Sequence, residues 1–554
     1  MDDARLLRAF AEGKAARAHD FFGAHLRDDG GADFAAWAPH AAAVSVIGDF
    51  NDWSPDRTPL EPVARGVFAG RVAVAHPGQR YKLRIVSASG VAFDKADPFA
   101  VAAEIPPGNA SMLARVAHAW QDEAWTRGRA ERAHLDRPMS LYEVHLGSWR
   151  RVPEEGDRFL RYREIAQPLA EHAKAHGFTH VELMPLLEHP FYGSWGYGVT
   201  GFFAATRRYG EPEDLAFLVD TLHRHGLGVI FDWVPAHFAP DPHGLVTFDG
   251  DPLFEPSDPT RRTHPTWGSG LFDYARPEVR SFLLSSATYW IETFHADGLR
   301  VDGVEAMLYE GHGRAERGEQ ENREGVAFLR ELTTTLHREQ PGVLLIAEDA
   351  SAWPGVTRPV EEGGLGFDLK WDMGLSFDMR RYLGSDPVDR AKEQGVLTFR
   401  SVYAPNERWV CALSHDDAVA ERGGALLEQM HGDPWQKRAN LRLLYANLFA
   451  QQGKKLLFMG DELAQPRAWH HDRSLDWHLA EQPPHAEIAR MVGDLNRLYA
   501  ETPALHARDA DPAGFAWIDA SNAQMSVVAF ERRGARDEDV VVCVFNFTPV
   551  PRPQ

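Results

Sequence analysis

The chain has 554 residues, of which 44% are hydrophobic and 25% charged, the proportions of an ordinary globular protein. Acidic residues outnumber basic ones by 80 to 59, giving a net charge of −21; such a surface lacks the cationic footprint that phosphate backbones need, which excludes nucleic acid as a partner and favours a neutral substrate. No apolar run reaches the roughly 18 residues of a membrane span, the start Met1-Asp2-Asp3-Ala4 lacks the marks of a signal peptide, and Cys411 and Cys543 sit singly in apolar runs, so a cytoplasmic chain without disulfides or membrane contact is expected.

From about Asp33 to about Arg115 the sequence alternates at strand period between turn signals, as in Val44-Ser45-Val46-Ile47 and Tyr81-Lys82-Leu83-Arg84-Ile85. Short strands at this spacing predict a small β-sandwich within a first domain of residues 1–117. Trp37, flanked by apolar residues, is expected in its core, whereas Trp53 in the turn Asn51-Asp52-Trp53-Ser54-Pro55 is expected at its surface.

From Ser140 the rhythm becomes apolar strand, loop, amphipathic helix. Strands are predicted at 141–146, 179–184, 228–233, 298–304, 343–347, 369–373, 410–414 and 455–459, with helices at 164–176, 213–225, 277–295, 323–339 and 435–451. Eight alternations over 118–500 predict an α/β fold closed into a (β/α)8 TIM barrel. An open doubly wound sheet is the alternative, but no G-x-G-x-x-G loop follows a strand. Three further strands, at 515–518, 526–531 and 540–547, predict a partial, truncated C-terminal β domain over 501–554, with an apolar edge along the last.

Four of the barrel strands end in charged residues, and such residues gather at one mouth of a barrel. In Arg300-Val301-Asp302, residues two apart share a face, so a permanent cation stands beside a carboxylate and favours its ionised form. Glu348 follows Leu344-Leu345-Ile346-Ala347, where an apolar environment raises a carboxyl pKa; alternation alone does not choose between Glu348 and Asp349. Asp232, His237, His415 and Asp416 follow two other strands and suit hydrogen bonding to hydroxyls. A zinc site ranks low, because no metal spacing accompanies these residues and His470-His471-Asp472 are merely adjacent.

These segments, with Tyr142-Glu143-Val144-His145-Leu146-Gly147-Ser148-Trp149, Glu188-His189-Pro190, Ser194-Trp195-Gly196-Tyr197, Gly363-Gly364-Leu365-Gly366-Phe367 and Ser474-Leu475-Asp476-Trp477, resemble the α-amylase superfamily of glycoside hydrolases and transglycosylases, and within it the glycogen (1,4-α-glucan) branching enzyme family. The resemblance runs from Phe21 nearly to the end. It implies an N-terminal carbohydrate-binding module, a catalytic barrel and a C-terminal β domain, with α-glucan as substrate and no cofactor. It further implies Asp302 as nucleophile, Glu348 as general acid/base and Asp416 as a third carboxylate. Arg300, His237, His415 and Asp232 would surround the same sugar, with Tyr197 stacked beneath it. The reaction so implied is retaining double displacement that transfers an oligoglucan from an α-1,4 link to a 6-hydroxyl. The chain departs from the family in Asp417-Ala418-Val419 after Asp416, in Gly303-Val304-Glu305-Ala306 after Asp302 and in Gly460-Asp461-Glu462-Leu463. A hydrolase or another transglycosylase of the superfamily, and a glucan-binding protein without catalysis, are the other readings. The oligomeric state is not legible.

Overall fold

The computed structural model describes residues 3–310 and 320–552. It opens with a helix, α1 (Asp3–Ala11), followed by eight strands: β1 (Gly23–Leu26), β2 (Ala32–Trp37), β3 (Ala41–Gly48), β4 (Pro59–Ala64), β5 (Val67–Val72), β6 (Arg80–Ser87), β7 (Ala92–Lys95) and β8 (Ser111–Met112). In β6 the residues Tyr81, Leu83 and Ile85 face inward between exposed or half-buried neighbours, the alternation of a sheet with one wet face. The strands hydrogen-bond in the order β1-β2-β5-β4-β3-β6-β7, with β8 on β6. Because β4 pairs with both β3 and β5, the two leaves of the expected sandwich are one sheet folded over. Trp37 is buried against Phe10 of α1 and against Phe254, while Trp53 is half-buried, its indole N–H donating to Asp49.

Eight parallel strands close a barrel: β9 (Ser140–Val144), β10 (His180–Leu183), β11 (Gly228–Trp233), β12 (Gly298–Val301), β13 (Leu344–Ala347), β14 (Leu369–Trp371), β15 (Trp409–Leu413) and β16 (Lys454–Phe458), with β16 returning to β9. Each lies within or one residue beyond its predicted span. They read as continuous apolar runs because both faces are covered, one by the barrel interior and one by helices. The outer layer includes α2 (Tyr162–Ala175), α3 (Pro212–Arg224), α4 (Pro277–Thr293), α5 (Arg323–Glu339), α6 (Met373–Gly384), α7 (Pro434–Ala450) and α8 (Pro483–Glu501). Where the chain passes from β13 to β14 no α-helix forms among the described residues; the loop is held instead by Glu407, whose carboxylate accepts the backbone N–H groups of Gly355, Val356 and Thr357.

Inside the barrel, side chains two apart stack in layers. Leu141, Ile230, Leu344, Ile346, Val410 and others form a separate apolar plug, and two residues further along the strands the same inward positions carry Glu143, Asp232 and Glu348. The period-2 geometry therefore puts a greasy floor beneath a charged layer at the strands' C-terminal ends.

The N-terminal segment is fastened to the barrel: Ser281 of α4 donates its hydroxyl to Phe10 O and accepts the N–H of Ala15. At the other end β17 (Phe515–Asp519), β18 (Val527–Arg533) and β19 (Val540–Asn546) form an antiparallel sheet. Buried Arg532 ties it to the barrel by donating to Ala450 O and Gln451 O and pairing with Asp509. The apolar residues that the sequence puts at its rim, Val540, Val542 and Val544, are exposed. No helix among the described residues is long and apolar enough to cross a membrane.

Candidate active site

The charged layer is organised by Arg300. It lies in β12 directly opposite Asp232 of β11 in the ladder register, with both side chains inward. The guanidinium Nη1 donates to both carboxylate oxygens of Asp232, at 2.9 and 3.0 Å, and to Asp302 Oδ1 at 2.6 Å, while Nη2 stands 3.9 Å from Glu348 Oε2. Its planar face lies 4.4 Å from the centroid of the Trp371 ring. Asp302 follows the last residue of β12, and its backbone N–H bonds to Trp233 O; Glu348 follows the last residue of β13, and its N–H bonds to Val301 O. Both acids thus leave the barrel just as the ladder ends, where their carboxyls reach the cleft.

Asp349, the alternative to Glu348, turns the other way and is buried against Lys370 at 2.7 Å. Glu348 instead accepts the N–H of Gly303 at 2.9 Å. Burial pushes the Glu348 carboxyl up, Arg300 and the Gly303 N–H pull it down, and the negative charges of Asp302 and Asp416 leave it above the ordinary carboxylate range. Burial would raise Asp302 as well, but Arg300 and His237, whose Nε2 is 3.7 Å from Oδ2, outweigh it and hold this carboxyl below its usual range. Two acids on neighbouring strand ends are therefore pushed apart in proton affinity.

Tyr197 sits in the loop after β10, where Gly196 has φ +100° and a Cβ would come 2.3 Å from Pro185 O, so only glycine lets the chain turn there. The Tyr197 hydroxyl donates to Asp232 Oδ2 at 2.7 Å, and its ring stacks on His415, with centroids 5.6 Å apart and planes at 26°. His415 and Asp416 open a short 3-10 turn after β15, with Asp416 Oδ1 3.8 Å from His415 Nε2. His415 Nδ1 donates to Glu143 Oε1 at 2.6 Å, and its backbone N–H donates to Glu143 Oε2. Burial would depress the imidazole, but Glu143 raises it to about 9, so it carries a proton at neutral pH.

All eight residues singled out from the sequence, Tyr197, Asp232, His237, Arg300, Asp302, Glu348, His415 and Asp416, are brought into one cleft. Exposure grades from the floor upward: Asp232 is 1% exposed and Arg300 3%, whereas the side chains of Asp302, Glu348 and Asp416 are 13, 19 and 32% exposed. Both oxygens of Asp232 are occupied by Arg300 and Tyr197, so it reaches the cleft through those two residues. The Nδ1 of His237 is buried without a hydrogen-bond partner.

Sequence reasoning passed over Glu143, Glu182 and Trp267. Glu143 and Glu182 are ladder partners on β9 and β10, both pointing inward; an acid inside an apolar strand was the available signal, since it must find a partner or stay neutral. Glu182 takes the second course: neither oxygen has a partner, and burial together with the Glu143 charge pushes it well above the usual range. Trp267 gives no such signal, lying in a polar loop. The nitrogen and carboxylate atoms of His470, His471 and Asp472 lie within 4.8 Å of one another. His470 Nδ1 accepts the Asp472 N–H and His471 Nδ1 accepts the Trp195 indole N–H, so both of these ring nitrogens are engaged within the protein.

Residues 21–100 match the family model of carbohydrate-binding module 48 (isoamylase N-terminal domain), and 517–554 match the alpha amylase C-terminal all-beta domain. A pullulanase from Paenibacillus barengoltzii, 19% identical, shares the fold with a TM-score of 0.72 over 96% of this chain and 88% of that one. A 1,4-alpha-glucan branching enzyme from Aromatoleum aromaticum is 50% identical over 98% of this chain and 86% of its own length. Another, from Aquifex aeolicus, is 48% identical over 98% of this chain and 88% of its own. At that identity, over nearly the full chain, the protein belongs to the 1,4-alpha-glucan branching enzyme family.

Proposed function

We propose that the protein is a glucan branching transglycosylase, cleaving an α-1,4-glucosidic bond and passing the freed oligoglucan to a 6-hydroxyl as an α-1,6 branch. The observation that carries this reading, beyond family membership, is the divergence in proton affinity between Asp302 and Glu348 around one guanidinium. An ionised Asp302 attacks the anomeric carbon while a protonated Glu348 donates to the leaving oxygen. The ester so formed is opened when Glu348, now a base, takes the proton of the incoming hydroxyl, which restores the configuration. Asp416 and His415 hold the hydroxyls of the donor ring, Tyr197 stacks beneath it, and His237 faces it from the Asp302 side. Asp232 acts as a positioning residue for Arg300 and Tyr197. A cytoplasmic location accompanies this reading, which the two unpaired, buried cysteines suit.

The test is incubation with amylose, following iodine absorbance, reducing ends and α-1,6 linkages together. Branching lowers the absorbance and adds α-1,6 linkages with few new reducing ends. Loss of absorbance matched by reducing ends makes the protein a hydrolase, and an unchanged polymer makes it a binding protein.

A further inference from the structure

Transfer to a sugar needs a surface on the departing side of the scissile bond, or water takes the ester first. In the proposed mechanism each of the eight residues grouped around Asp302 acts on the donor ring or at the scissile bond, and none of them is an acceptor-side platform. We infer that Trp267 is the aromatic platform of an acceptor-side glucan subsite. The inference rests on the transglycosylase reading above and names the residue that favours a sugar over water.

Trp267 is 52% exposed, although a large apolar ring gains by burial. It is nevertheless fixed in place. One face lies on the imidazole of His264, with centroids 3.7 Å apart and planes at 12°. His264 is itself buried, and its Nδ1 accepts the backbone N–H groups of Thr266 and Trp267 at 3.3 and 3.1 Å. Its backbone closes the loop, donating to Ser269 O and accepting from Gly268 N–H, each at 2.9 Å. With one face covered, the exposure belongs to the other face and the edges. A ring held rigid from beneath, with no described residue stacked on its other face, is organised to receive a flat apolar ligand surface, such as the C–H face of a glucose ring.

Its position gives the side of the bond. The Trp267 ring centroid is 5.0 Å from that of His237, whose Nε2 is 3.7 Å from Asp302 Oδ2. The indole Cη2 is 3.8 Å from where a Cβ on Gly303 would lie, and Gly303 N–H is the group that holds Glu348. Glu348 serves the leaving oxygen and later the incoming hydroxyl, so what stands beside it stands on the acceptor side. Tyr197, Asp232 and His415 define the donor ring from the opposite flank. A glucan lying across Trp267 therefore presents its hydroxyl toward Glu348.

Two measurements test this. In the Asp302→Asn background, which cannot turn over, maltoheptaose affinity measured by calorimetry should fall about tenfold on adding Trp267→Ala, and by much less on adding Trp267→Phe, which keeps an aromatic face. In the otherwise unaltered protein, Trp267→Ala should raise severalfold the ratio of reducing ends to new glycosidic links, and Trp267→Phe should restore much of the parent ratio. Unchanged affinity and unchanged ratio in Trp267→Ala overturn the subsite, as does a Trp267→Phe protein that behaves like Trp267→Ala. If the parent makes no α-1,6 branches, the branching reading fails by itself; the affinity, and the capture of donor chains by added maltose rather than water, still decide whether Trp267 holds an acceptor.

Discussion

Arg300 and Asp232 are ladder partners in adjacent strands, and one guanidinium nitrogen binds both oxygens of Asp232 and one of Asp302. The pair is almost completely buried, so its net worth lies less in the attraction than in the cost of breaking it. Removing one partner leaves a buried charge without full compensation, at about 3–5 kcal/mol, while removing both is far cheaper. Asp232→Ala should therefore lower the unfolding transition of the barrel markedly, and Asp232→Leu combined with Arg300→Met should recover much of the loss, yet neither should turn over. Calorimetric unfolding of the parent and the two variants decides it: a double variant no more stable than Asp232→Ala would mean that the two residues are not coupled.

The opposite displacements of Asp302 and Glu348 fix the shape of the pH profile. In the proposed mechanism Asp302, held low, acts ionised, which puts the acid limb below the ordinary carboxylate range, and Glu348, held high, acts protonated, which puts the basic limb above it. Glu348→Gln should cut kcat by about 10²–10⁴ and abolish the basic limb of kcat/KM. A Glu348→Gln protein that keeps the same basic limb assigns that limb to another group.

The barrel was legible because its signal is redundant: strands buried on both faces must be apolar throughout, and eight such runs separated by helical periods leave few alternatives. The acids at the strand ends were legible for the same reason, since Asp302 and Glu348 each interrupt an apolar run at the point where the ladder stops. What stayed hidden depends on partners distant in sequence. Asp349 is adjacent to Glu348, and only its contact with Lys370 of β14 turns it away from the cleft. Trp267 lies in a loop whose local residues give no hint that it reaches Gly303. The missing helix between β13 and β14 replaces periodicity with the Gly-rich stretch Gly363-Gly364-Leu365-Gly366, which reads as a loop and says nothing of Glu407 gathering it.

A second buried cluster, at the opposite end of the barrel, makes a prediction about stability alone. His223 of α3 is inaccessible and bridges Asp122 at 2.8 Å and Asp297 at 3.0 Å. Despite its burial, hydrogen bonds to the two carboxylates raise the imidazole above its ordinary 6.5, while His223 helps hold Asp122 low and brings Asp297 to about 2. The histidine contribution is complete below pH 6.5 and fades as pH rises through its elevated value. The carboxylate contributions are complete above the ordinary 3.8 and fade as pH falls toward 2. His223→Gln should therefore cost most between those limits, on the order of 2 kcal/mol or more, and progressively less in alkali. Thermal unfolding at pH 5.5 and pH 9 gives the comparison; an equal loss at both would mean that His223 is neutral in the fold.

Glu143 and His415 carry the corresponding pH dependence into the cleft. The imidazolium at about 9 exists because Glu143 overcomes burial, so its stabilising contribution is present below the ordinary 6.5 and is lost as pH rises through about 9. Glu143→Gln keeps the shape and the backbone hydrogen bond but removes the charge, and burial then drives His415 to the neutral form. The gap in unfolding temperature between parent and Glu143→Gln should be wide at pH 6 and narrow at pH 9.5. The His415 ring resonance should report a neutral imidazole at pH 7 in the variant and a charged one in the parent. Glu182→Gln supplies the control. Burial and the Glu143 charge push its carboxyl well above the usual range, which favours the uncharged form, so an amide of the same shape should shift stability by no more than about 1 kcal/mol and leave the His415 titration close to the parent value. A large downward shift of the His415 titration in Glu182→Gln would mean that a carboxylate charge, rather than a neutral acid, occupies that position.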